Sequence, residues 1–173
     1  PLYMQRLVDV LARKEPSKSR VMVLVALNRL DEAIPVAQEL AERHMARLCP
    51  RTAMDVLEIV MKPLLEDESL GVERDPSLYL LYARSLAQAN PTDARLQKAL
   101  AWLDKRESDP DVRTGTLAIR AHIQRWLGHY PNYRKLLADA WNGQPDPRIP
   151  HIASDLSRQL GDSHALAGEM DVA

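Results

Sequence analysis

The sequence predicts an all-α fold of antiparallel helix hairpins stacked side by side, an α-solenoid, and three observations carry that expectation. The pair Asp75-Pro76 returns as Asp109-Pro110, 34 residues later, and again as Asp146-Pro147 after 37 more; a recurrence near 34 residues marks a helix-turn-helix repeat. Phe is absent and Gly numbers only six, while Ala, Leu, Arg and Glu abound, which favours helix over sheet. Apolar residues also recur at helical spacing through most of the chain.

Asp can accept a hydrogen bond from a free N–H of a helix's first turn, and Pro suits the first helical position because its missing N–H has no partner there. Each Asp-Pro pair therefore reads as a helix start. At 173 residues with 46% hydrophobic content, the chain suits one helical-repeat domain or a fragment of a longer array. Residues 1–74 read as its irregular part and 75–173 as the more regular hairpins. Twenty-three basic residues stand against 24 acidic ones, spread along the chain, whereas a general nucleic-acid or membrane-surface binder would be more basic. The single Cys49 excludes an internal disulfide framework and reads as a buried small hydrophobe. No apolar run is long enough to span a bilayer. The chain starts at Pro1 without an initiator Met or signal-like segment, which reads as an excised fragment.

In chain order, residues 2–13 place Leu2, Leu7, Val8 and Leu11 on a helical stripe that 14–17 break. The run VMVLVAL at 21–27 fits a buried strand or a buried helix, and its helical neighbours decide for helix. Asn28 reads as a turn. The next segment carries acids early and bases late, as a helix dipole prefers, with Pro35 near its first turn, where its cost is small. Thr52 to Asp55 resembles a capping box, opening an apolar helix that runs to about residue 65. After a charged connector at 66–71, helices are expected over 76–89, about 92–106, 110–127 and 131–141, with Gly128 suited to the left-handed conformation that ends a helix. The segments 149–160 and 163–170 make a final pair, giving nine or ten helices in all.

No HExxH, GxSxG, P-loop or GxGxxG pattern is present, and the five His residues have no close ligand spacing, so neither a metal, a cofactor nor an enzyme activity is expected. Carboxylates fall on helix starts and exposed faces. Trp102, Trp126 and Trp141 read as core or hairpin packing. One region stands apart: between Asp111 and Asp139 there is no acidic residue, while Arg113, Arg120, Arg125, Arg134 and Lys135 accompany His122, His129, Trp126, Tyr130 and Tyr133. Guanidinium groups and aromatic rings together are the material of a recognition surface.

Residues 28–40, NRLDEAIPVAQEL, resemble the second helix of a tetratricopeptide repeat, with Leu30, Ala33, Ala37 and Leu40 at the matching positions. A second match uses Leu117, Ala121, Gly128, Tyr130, Leu137 and Ala140, and a looser third uses Tyr79, Ala83, Leu86 and Ala99. Tyr133 and Arg95 occupy positions where that family has small residues, and 46–74 fits no repeat. The resemblance implies a right-handed superhelix acting as a non-enzymatic scaffold that binds a peptide or partner domain on its concave face, with Tyr130 packed into its hairpin. The same alignment places His122, Arg125 and Trp126 on an inner helix face, with Arg84 and Gln88 on the preceding one; with Arg120 these form the expected partner-binding set. A protein or peptide partner is expected and no nucleic acid, with self-association left open. The alternative is a sensor segment of a larger protein binding an anionic small ligand or polysaccharide, since the family also serves bacterial secretion, exopolysaccharide export and signalling.

Overall fold

The computed structural model describes residues 16–67 and 75–142, together with Arg6 and Val10. These residues form seven helices and, among them, no strand: α1 Lys18–Ala26, α2 Leu30–Ala46, α3 Pro50–Glu66, α4 Pro76–Ala89, α5 Ala94–Asp104, α6 Pro110–Trp126 and α7 Tyr130–Asn142. The fold is all-α. The expected helices at 149–160 and 163–170, the third Asp-Pro pair and most of 2–13 lie outside the described residues.

The helix starts follow from side-chain chemistry. Ser17 Oγ accepts from the Arg20 N–H at 3.3 Å, and Asp75 accepts from Ser77 at 2.8 Å. Asp109 accepts from Asp111 and Val112 at 2.9 and 3.4 Å. Pro76 and Pro110 each occupy the first helical position behind their Asp cap, so both described Asp-Pro pairs are helix starts. Asp93 caps α5 through the Arg95 N–H and also receives the Arg95 guanidinium at 2.6 Å. Hydrogen bonding from Arg95 holds the Asp93 carboxyl below its ordinary value of 3.8, against the opposing effect of burial. A depressed folded-state value stabilises above the unfolded value and is lost as pH falls through the folded one. Asp93→Asn keeps a capping oxygen but removes the charge that Arg95 meets, so it is expected to lower stability at neutral pH by about 0.2–1 kcal/mol, a difference that shrinks as pH falls below the ordinary carboxylate value, as urea titrations at neutral and acid pH will show.

Three of the helix ends are built alike. Asn28, Leu48 and Gly128 have φ of 57°, 58° and 76°, in the left-handed region. In each case the following N–H reaches back to the carbonyl five residues earlier: Arg29 to Leu24, Cys49 to His44 and His129 to Gln124, all at 2.9 Å. This Schellman closure reverses the chain in three residues and makes α1–α2, α2–α3 and α6–α7 tight hairpins. Asn and Gly tolerate the conformation, whereas a Leu there costs about 1–2 kcal/mol. Leu48 is also 82% exposed, so its side chain gives little in return. Leu48→Gly is expected to raise the melting temperature by a few degrees, because relief of that strain exceeds glycine's extra chain entropy by about 0.5–1 kcal/mol.

The chain divides into two compact units, Pro1–Asn90 and Pro91–Ala173. In the first, α2 packs against α1, α3 and α4. Its stripe Ala33, Ala37 and Ala41 is fully buried, and these small side chains let three neighbours approach one helix. Leu24, Leu57, Val60, Met61, Leu64, Leu78 and Leu86 fill the spaces between them, each large aliphatic contributing about 1.5–3 kcal/mol. The Tyr82 hydroxyl, on a fully buried side chain, donates to Glu58 across α3 and α4, and Gln38 Nε2 donates to Ser77 Oγ at 3.1 Å. In the second unit α6 packs along α7 and more lightly against α5, over Leu96, Leu103, Ile119, Ala121, Tyr133, Leu137 and Ala140.

Several sequence expectations change. The third helix starts at Pro50 behind Cys49, not at Thr52: a proline at N1 and the turn at Leu48 set the boundary earlier than the capping-box pattern suggested. Cys49 is exposed in that turn rather than buried. Pro35 is the sixth residue of α2, beyond the first turn, on the exposed side, where water can stand in for the helical N–H that a proline lacks. Trp102 is buried with Arg106 stacked 3.3 Å over its ring, but Trp126 and Trp141 are exposed.

Candidate functional surfaces

Four of the six expected partner-binding residues lie on α6 of the second unit, and Arg84 and Gln88 lie one turn apart on α4 of the first, each partly exposed. On α6 the spacing of His122, Arg125 and Trp126 puts these three on one face. Arg120 points elsewhere: its guanidinium holds both oxygens of Asp104, at 2.8 and 2.7 Å. An arginine so neutralised fastens α6 to α5. Reversing its charge would set a carboxylate against Asp104 and disturb packing together with any binding.

The α6–α7 turn gathers the remaining groups. Trp126 ends α6 at 58% exposure, Leu127 follows at 45% and Tyr130 opens α7 at 47%. Tyr130 therefore faces solvent instead of packing into its hairpin. Tyr133 takes the interior place, fully buried, with the Arg125 guanidinium 5.9 Å from its ring centroid, within cation–π range. His129 Nδ1 lies 3.0 Å from Gln124 Oε1. The turn is open: apart from the two adjoining residues, no atom lies within 4 Å of where a Cβ on Gly128 would stand.

A second surface, absent from the sequence reading, lies on the first unit. Between α1 and α3 runs an open groove of about 440 Å³, walled by Met22, Val25, Ile59 and Pro63. Lys18 and Lys62, with Asp55 and Glu66, stand around it. Pro63 has no N–H to give the Ile59 carbonyl, so a backbone acceptor at this wall lacks its usual helical donor. In the run VMVLVAL every residue is apolar, so no periodicity separates the outward Met22 from the buried Val21 and Leu24. The only signal in the sequence was a helix-internal proline within an apolar stretch.

Among the described residues no three His, Cys, Asp or Glu side chains group closely enough to hold a metal ion, and no helix is long and apolar enough to cross a membrane. Comparison with family models, with curated proteins and with solved structures finds no match for this chain.

Proposed function

We propose that the protein is a non-enzymatic interaction module, a set of tetratricopeptide-like helix hairpins that holds a peptide or a segment of a partner domain. The α1–α3 groove carries this reading. Its volume falls within the ~300–1,000 Å³ typical of ligand clefts, its walls are apolar, and charges of both signs stand at its edge. A binding groove combines these properties, because apolar walls supply affinity while edge charges fix register. The left-handed Asn28 and Gly128 turns and the buried small residues Ala33, Ala37, Ala121 and Ala140 support the hairpin type. In that arrangement α1 and α3, which pack against each other and against α2, are the first helices of successive pairs and form the inner, ligand-facing surface.

The test is a peptide selected from a random library against the full chain, titrated calorimetrically with wild type and with Ile59→Glu. Ile59 is partly exposed on α3, so the variant should keep the wild-type circular dichroism spectrum. A charge at the groove wall should weaken binding about tenfold or more. Unchanged affinity with Ile59→Glu would remove the groove as the binding site.

A further inference from the structure

We infer that the α6–α7 turn is a second docking surface, separate from the α1–α3 groove, and that its occupant is an acidic peptide segment bearing a large apolar anchor. The inference rests on the reading of the chain as an interaction module, but on different residues. Trp126 and Tyr130 flank one three-residue turn that Leu127 opens, and the three are each about half exposed. That concentration of aromatic surface, with an open backbone at Gly128, offers rigid contact area at small entropic cost.

Charge selects the occupant. No carboxylate occurs in the sequence from 112 to 138, and Arg134 lies one helical turn beyond Tyr130 on the same face of α7. Arg134 and Lys135 are exposed and have no anionic partner among the described residues. Arg125, over the Tyr133 ring, adds positive charge beside the turn itself. The surface is thus apolar at its centre and cationic beside it, complementary to a hydrophobic side chain flanked by carboxylates. An anionic bilayer is less well matched, since lipid-binding clusters use about 4–8 Lys or Arg. Nucleic acid is less well matched again, because the chain carries a net charge of −1 and affinity for phosphates grows with the number of them neutralised.

The experiment follows amide resonances of the full chain as a glutamate-rich peptide with a central tryptophan is added, alongside its lysine-for-glutamate counterpart, anionic vesicles and an anionic oligosaccharide. The acidic peptide should shift residues 125–135 and bind about tenfold more weakly to Arg134→Glu/Lys135→Glu, and more weakly at high salt. Trp126→Ala should lose affinity while leaving the far-ultraviolet spectrum unchanged, since its ring is outside the core. Equal binding of the basic peptide, preference for vesicles or oligosaccharide, or no shift at 125–135 would each overturn the inference. Shifts at Met22 and Ile59 without any at 125–135 would sink this surface while leaving the groove intact, and loss of groove binding alone would do the reverse.

Discussion

Tyr133→Ala is expected to destabilise the second unit by about 3–5 kcal/mol, the cost of removing a fully buried aromatic side chain and leaving its cavity. A melting temperature lower by on the order of 10 °C would follow if the chain unfolds as one transition. The position is informative because the tetratricopeptide resemblance calls for a small residue here. If the hairpin followed that pattern, alanine would fit. Instead the ring is completely enclosed and carries Arg125 on its face, so α6 and α7 are spaced for a tyrosine. Hydrogen exchange locates the effect: protection should fall across residues 110–142. A variant that keeps wild-type protection would mean that the ring is dispensable and that the spacing of the hairpin is set elsewhere.

Ala37→Leu is expected to act in the opposite sense sterically and in the same sense energetically. Ala37 lies fully buried on α2, the helix that touches α1, α3 and α4, where additional methyl groups force neighbours apart at about 1–3 kcal/mol. Denaturant unfolding should show a lower midpoint without a change in slope. Because α2 packs against both α1 and α3, the same substitution should alter the groove and weaken a groove ligand as well. Ala46→Leu, on the same helix but exposed, is the control and should be close to neutral.

The parts of the fold legible in the sequence were those where one residue type solves one backbone problem. Asp75 and Asp109 cap helices because a carboxylate before proline has few other uses there, and both are caps in the structure. Asn28 and Gly128 take the left-handed conformation for which they are suited. Leu48 was not legible as a turn, since nothing in a leucine side chain favours positive φ; the tight α2–α3 reversal was therefore missed, and the start of α3 was displaced to Thr52.

The candidate sites were legible only in part. An acid-free, aromatic-rich stretch can be read directly, and it led to the α6–α7 hairpin. Which of its groups are spent internally could not be read, because Arg120 meets Asp104 across 16 residues of chain and Tyr130 and Tyr133 differ only by which side of α7 each occupies. Trp102 and Trp126 look alike in sequence, each near a helix end, yet one is enclosed and the other is exposed.

Hydrogen exchange of the full chain, with and without a saturating library-selected peptide, shows whether the groove between α1 and α3 holds a partner segment. Slowed exchange should concentrate in α1 and α3, around Met22 and Ile59, and be abolished by Ile59→Glu. Protection confined to other helices, or unchanged by Ile59→Glu, would contradict binding in the groove.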